Sequence, residues 1–317
     1  MAVGSRPLVP SRLARGNGFG HGDVLRRPTT KILGFVALTK PRIIELLLIT
    51  TVPPMVVAAK GLPDWWLVVA TLIGGTLAAG GANAINMVVD RDIDKLMPRT
   101  QGRPLVTGLL GPREALVFAI GLEVLAFAVL ASFVNVLSAV LALSATAFYV
   151  FVYTLWLKRT STQNIVIGGA AGCMPVLVGW AAVTDSLAWA PWVMFLVIFT
   201  WTPPHSWALA VKYADDYRAA NVPMLPAVAS MEVTSRRMLR WTFALVASTL
   251  LLAPVADLGP TYWVTAIILG AGFIALCADL HRRPTMARSM RLFAFSISYV
   301  TLLFAAMAVD VLIRYGL

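Results

Sequence analysis

Nine apolar runs, each close to the length needed to cross a membrane, limit what this chain can fold into more than any other feature. They lie at about 43–59, 65–89, 114–134, 137–156, 164–183, 190–210, 241–256, 261–278 and 292–313. A helix needs about 20 mostly apolar residues to span the hydrocarbon core. Only 13% of the residues are charged, against about 25% in a soluble domain. The apolar mass therefore lies in spans. The fold class expected is an all-α integral membrane protein, a nine-transmembrane-helix bundle.

A net charge of +11 would point a soluble chain toward nucleic acid. Its distribution gives another answer and excludes that partner. Of the 26 basic residues, 24 fall in the N-terminal segment and in the loops 90–113, 157–163, 211–240 and 279–291. The other loops hold Lys60 alone and the C-terminus Arg314. Basic residues collect on the cytoplasmic side, which places the N-terminus and every long loop inside and the C-terminus outside. Residues 1–30, rich in Arg, Gly, Pro and Ser, cannot bury a core and are expected to form a disordered basic tail, with 31–317 as a single membrane domain. The expected location is a bacterial inner membrane; because organellar transit peptides share this composition, a mitochondrial inner membrane is the alternative. Cys173 and Cys277 stand alone in apolar runs and read as small buried side chains.

The second run ends in Asn86, Asp90, Asp92 and Asp94. At about 100° per helical residue, Asn86, Asp90 and Asp94 share about 80° of arc, while Asp92 lies about 120° from Asn86. Such a column of oxygens suits Mg²⁺, which takes carboxylates together with substrate phosphates. The alternative is a helix end neutralised locally by Arg91, Lys95 and Arg99. Arg103 follows closely, and its guanidinium suits phosphate oxygens.

The sixth run carries Pro203, Pro204 and His205, then Lys212 and Asp216. The prolines are expected to break or kink the helix. Beyond them, a continuing helix would set His205, Lys212 and Asp216 within about 40° of each other and about 16 Å apart along the axis. His205 then reads either as a deep substrate contact or as a polar residue bonded to a neighbouring helix. Asp216 reads as a metal ligand or as a solvated loop acid. Tyr153, Lys158 and Arg159 close the fourth run, and Lys40 and Arg42 precede the first. Lys158 and Arg42 could bind a diphosphate, or Lys158 and Arg159 could snorkel as anchors. Glu45 and Glu123 lie near or within spans with no evident role.

Two acidic helix ends, several cations and an apolar interior suit a substrate with a diphosphate head and a long hydrocarbon tail. Metal neutralisation of the leaving group and exclusion of water from an allylic cation would then drive prenyl transfer.

The sequence resembles the UbiA-type intramembrane prenyltransferases, and within them the protohaem IX farnesyltransferases. The stretches that carry the resemblance are Thr39–Ile43, the Asn86–Asp94 column with Arg103-Pro104-Leu105, Tyr153-Thr154 with Leu157-Lys158-Arg159, Asn164–Gly172 and Asp216–Pro226. Together they cover about residues 35 to 230 in the family's order. Ser206 departs from the aromatic residue expected after the histidine, and Asp215 from a lysine. The resemblance implies Mg²⁺ as cofactor, farnesyl diphosphate as donor, haem B as acceptor, haem O as product and a downstream haem-modifying enzyme as partner. The catalytic set it implies is Asp90, Asp94, Asp216 and Lys158. Substrate contacts would be Arg42, Arg103, Tyr153, Lys158, Lys212 and His205, and metal ligands Asn86, Asp90, Asp94 and Asp216. Two alternatives are an enzyme of the same type with a phenolic acceptor and a transporter of anionic substrates.

Overall fold

The computed structural model describes residues 30–316, with only the backbone of residues 42–48. The expected basic tail therefore lies outside the described residues, as do the side chains of Arg42 and Glu45. Secondary structure among the described residues is entirely helical. The long helices are α1 Pro41–Ala59, α2 Trp65–Val89, α3 Pro112–Phe133, α4 Val136–Thr160, α5 Asn164–Thr184, α6 Trp189–Lys212, α7 Met231–Val255, α8 Pro260–Arg282 and α9 Met286–Tyr315. Among the described residues seven of them, α2–α5 and α7–α9, are long and apolar enough to cross a membrane. In α6, Pro203, Pro204, His205 and Lys212 dilute the hydropathy; α1 is described as an apolar helix over Ile49–Ala59. The expected nine spans thus correspond to seven clear crossings and two further long helices packed among them.

The pairs α2–α3, α1–α5, α6–α7 and α8–α9 make the closest packing. One core joins α1 to α5–α9, with Trp207, Phe273, Tyr299 and Phe304 fully buried. A smaller core joins α2, α3, α4 and α5 around Leu130. Outward faces stay apolar, as at Val117, Val124 and Ile268, because the surrounding solvent is lipid. Lipid gives apolar helices no reason to associate, so close contact depends on small residues. At Gly179 of α5 a Cβ would lie 2.3 Å from the Thr51 carbonyl oxygen, so α1 and α5 meet backbone to backbone only through that glycine.

Two sequence expectations need correction. First, α7 and α9 begin at Met231 and Met286, ahead of the expected 241 and 292. Ser230 and Thr285 cap them by accepting the Val233 and Arg288 N–H groups, so helix forms before the apolar stretch begins. Second, α6 runs without interruption through Pro203 and Pro204 and ends at Lys212. Two missing N–H donors do not break it, because α5, α7 and α9 pack along it. The interruption comes instead at Tyr213 (φ −110°, ψ 20°), after which a short helix, Ala214–Ala219, restarts.

The loops after α2 and α6 meet. The segment after α2 forms the short helix Arg91–Leu96, and its Ile93, with Met97, packs on Tyr217, Ala220 and Val222 from the segment after α6. This apolar clasp brings the two acidic stretches to one end of the bundle.

Candidate active site

Asp90 ends α2 and its N–H still donates to the Asn86 carbonyl at 2.9 Å; Asp94 N–H then donates to the Asp90 carbonyl at 2.8 Å. Helical spacing therefore survives the helix end. Asn86, Asp90 and Asp94 are all buried, whereas the Asp92 side chain is 64% exposed, as the one-face reading requires.

The partners of these acids are Lys158 and Arg159, from the end of α4, and Arg103, nine residues after Asp94, in place of Arg91, Lys95 and Arg99. Lys158 pairs with Asp90 Oδ2. Arg103 pairs with Asp94 Oδ2 at 2.5 Å. Arg159 forks onto Asp92 at 2.7 and 2.8 Å, and its hydrogen bonds hold that carboxyl down at about 2. Lys158 and Arg159 are therefore both engaged by carboxylates at the end of α2. Asn86 donates to Asp90 Oδ2 at 2.8 Å and to Thr154 at 3.1 Å, and accepts from Lys40 at 3.0 Å. Burial, and then the positive charge of Arg103 and Lys158, lowers the Lys40 ammonium to about 7.

Each buried carboxylate thus commits one oxygen to a cation. The other oxygens, Oδ1 of Asp90 and Oδ1 of Asp94, are buried without a hydrogen-bond partner, and Arg159 Nη2 lies 3.7 Å from the first of them. Leaving such an acceptor unpaired costs about 1–3 kcal/mol or more, a cost that a bound cation would remove. Hard oxygen donors of this kind fit Mg²⁺. Among the described residues no three His, Cys, Asp or Glu side chains converge into a complete metal cage. That suits an ion which takes one or two carboxylates and completes its shell with substrate phosphates and water.

The wall opposite is α4. Over Phe148–Leu157 it winds as a π-helix, a feature common at functional sites. Thr154 donates to the carbonyl of Tyr149, five residues back, at 2.8 Å. The wide turn stacks the Tyr149 and Tyr153 rings at 5.3 Å and sets Lys158 6.0 Å from the centre of the Tyr153 ring. Gly168 of α5 makes the room: a Cβ there would lie 2.2 Å from Tyr153. Gly168→Ala should therefore displace that ring and lower turnover by about tenfold or more, because even small misplacements at a reacting centre are expensive. Steady-state rates measured on the folded variant would show it, with a thermal transition lowered by the overpacking.

Asp216 lies on the second stretch, partly buried, with Arg99 Nε 3.7 Å away. Arg99 also lies over the rings of Tyr213 and Tyr217 at 5.1 and 5.4 Å. Asp215 is exposed and pairs with Arg218. The expected column of His205, Lys212 and Asp216 does not form one helical face, because Tyr213 interrupts the helix between them. Lys212 is exposed, lies over the Tyr213 ring at 5.5 Å, and makes no ion pair among the described residues. His205 Nδ1 is 2.7 Å from the Ser296 hydroxyl, and its ring stacks on Trp201 at 4.0 Å. Arg42 falls among the side chains outside the described residues.

Two apolar cavities open beside these groups. One, about 200 Å³, lies between α2, α4 and α5 and includes Ala82, Asn83, Thr146 and Pro175. The other, about 250 Å³, reaches α1, α6 and α9 and includes Tyr153, Ile165, Trp201 and Val300. Tyr149 and Gly172 line both. The sequence names Thr154 only within a matching stretch and singles out neither Tyr149 nor the contact made by Lys40. The one available signal for Lys40 was Pro41 after it; Lys40 takes a left-handed backbone (φ 51°) that turns the chain into α1.

Residues 47–300 match the profile of the UbiA prenyltransferase family. The chain belongs to this family. Similar proteins within it include a protoheme IX farnesyltransferase of Parafrankia sp., 52% identical over 91% of this chain and 93% of that protein. The protoheme IX farnesyltransferase of Frankia alni is 54% identical over 89% and 99%. The fold is also that of solved UbiA-type structures. A digeranylgeranylglyceryl phosphate synthase superposes with a TM-score of 0.74 at 17% identity, over 89% of this chain and 98% of that one. A UbiA homologue from Archaeoglobus fulgidus bound to GPP and Mg²⁺ superposes at 0.60 and 18%, over 86% and 99%. The acidic column and the π-helical wall described above lie within the family-matched region.

Proposed function

We propose that this chain transfers the farnesyl group of farnesyl diphosphate to a vinyl group of haem B, giving haem O and diphosphate. The observation that carries the reading is the pair of buried carboxylates, each paired to a cation through Oδ2 and each with an Oδ1 that accepts no hydrogen bond, at the end of the bundle beside apolar cavities. The likeness to protoheme IX farnesyltransferases over about nine-tenths of the chain supports the choice of donor and acceptor.

Asp90 and Asp94, with Asn86 and Asp216 beside them, would hold Mg²⁺, which when bound supplies positive charge to the diphosphate leaving group. Lys158 and Arg103, already at the acids, extend that charge with donors suited to phosphate oxygens. As the C1–O bond breaks, the electron pair leaves with the diphosphate. The faces of Tyr149 and Tyr153 stabilise the allylic cation, and the apolar cavity walls keep water from quenching it. The vinyl π pair then forms the new C–C bond. The cation left on the inner vinyl carbon takes water and loses a proton.

The basic face of the bundle would be cytoplasmic and the C-terminus outside, in a bacterial cell membrane, since the relatives named are bacterial. Diphosphate release by purified protein in lipid, with haem B or hydroxybenzoate as acceptor, tests the assignment. Release is expected with haem B, and chelation of Mg²⁺ should abolish it. Release with hydroxybenzoate alone would mean a phenolic acceptor, and none with either would end the transferase reading.

A further inference from the structure

Glu123 has no part in the diphosphate site, yet it is a carboxylic side chain in the middle of α3 that meets no basic group among the described residues. Ionisable groups in a membrane interior are costly and tend to be functional. The neighbouring helices are shaped around this one. At Gly81 of α2 a Cβ would lie 2.5 Å from Glu123 Oε1, so the carboxyl group occupies the space that the glycine leaves. From α4 the Thr146 hydroxyl donates to the same oxygen at 3.1 Å.

Thr146 is also part of the wall of the cavity between α2, α4 and α5, beside Ala82, Asn83 and Tyr149. That stretch of wall connects to the acidic column. The Thr154 hydroxyl donates to the Tyr149 carbonyl and accepts from Asn86. A hydroxyl on the cavity surface, with a carboxylate behind it, therefore lies three residues before Tyr149 in the same cavity wall, about one turn from the ring assigned above to the allylic cation.

Water addition releases a proton inside an apolar cavity, away from bulk solvent. We propose that Glu123 accepts this proton through the Thr146 hydroxyl. The water oxygen gives a lone pair to the cationic vinyl carbon and forms the C–O bond. One of its O–H bonds breaks as the proton passes to Thr146 Oγ1, whose own proton moves to Glu123 Oε1. The cation and the carboxylate become a neutral alcohol and a neutral carboxylic acid, and the acid later returns its proton to solvent. Glu123 acts behind Thr146 and does not touch the substrate. The inference rests on the haem-vinyl reading above.

Without this acceptor the cation can instead lose a C–H proton to the departing diphosphate, leaving an alkene lighter than haem O by one water. Mass spectrometry of the haem products measures the ratio of hydroxylated to anhydro product, whatever the total turnover. In Glu123→Gln, which keeps the shape of the side chain, the ratio should fall by about a hundredfold. Thr146→Val should lower it similarly, and Thr146→Ser should restore it. An unchanged ratio in both Glu123→Gln and Thr146→Val overturns the proposal. So does loss of both products together in Glu123→Gln with an unchanged ratio in Thr146→Val, since that marks a tie between helices and no more. If the unsubstituted protein makes neither haem product, the reading of the acceptor fails instead.

Discussion

Asp90→Asn and Asp94→Asn should each lower turnover by at least about a hundredfold, while Asp92→Asn should cost no more than a few-fold. On the reading proposed above, the first two substitutions remove a charge that would hold the metal beside the diphosphate, worth several kcal/mol in a water-poor site. Each also strands a cation: Lys158 at Asp90, and Arg103 at Asp94. Breaking a buried ion pair costs about 3–5 kcal/mol of stability, so lost activity alone would not separate chemistry from folding. A double substitution does. Asp90→Asn with Lys158→Met removes both buried charges and should recover much of the thermal stability without recovering turnover. Asp92 has no comparable burden, because its exposed pair with Arg159 contributes about 1 kcal/mol or less. Equal losses at Asp90 and Asp92, measured as diphosphate release, would defeat the one-face account of the column.

That column was legible in the sequence because four-residue spacing maps onto one helix face whatever the tertiary structure. The spans were legible because lipid imposes a length on apolar helices. What lay beyond reach came from contacts made across the bundle. No local rule pairs Asp90 with Lys158 or Asp94 with Arg103, so the sequence marks these cations as site residues without saying which acid each one meets, and leaves neutralisation by Arg91, Lys95 and Arg99 open as the alternative. The ends of α7 and α9 were misplaced because hydropathy marks the membrane and not the helix; Ser230 and Thr285 were the caps to notice. Prolines 203 and 204 leave α6 unbroken. Their penalty is local, and packing by α5, α7 and α9 exceeds it. The π-helical turn of α4 has no composition that announces it, so Tyr149 is not singled out by the sequence and Thr154 has no role there beyond its place in a matching stretch. Its enabling residue, Gly168, lies on another helix, and the need for a glycine there appears only when Tyr153 is in place.

His205 and Asp216 should separate the two substrates. Asp216 shares its end of the bundle with the acidic column, through the clasp of Ile93 and Met97 on Tyr217, Ala220 and Val222. Its loss should raise the concentration of farnesyl diphosphate needed for half-maximal rate, by about tenfold or more, and weaken the dependence on Mg²⁺. His205 lies seven residues before the end of α6, about 10 Å deeper along the helix, where diphosphate oxygens held at the surface acids do not reach. Its Nδ1 is engaged by Ser296, and Trp201, stacked on its ring, lines the cavity that also holds Tyr153. A neutral imidazole placed there can present Nε2 to the haem iron or to a polar group on the macrocycle, or it can set the angle of Trp201 against the macrocycle face. Either way His205→Ala should raise the concentration of haem needed by about tenfold, a loss of about 1.4 kcal/mol, with binding of farnesyl diphosphate kept within a factor of about two. Ser296→Ala, which frees Nδ1 but leaves the ring stacked, should show a smaller shift in the same direction. Haem titrations and binding of a prenyl diphosphate to the same purified variants decide between the assignments. If His205→Ala chiefly weakens diphosphate binding, the histidine supports the helix end of α6 and the acceptor lies elsewhere.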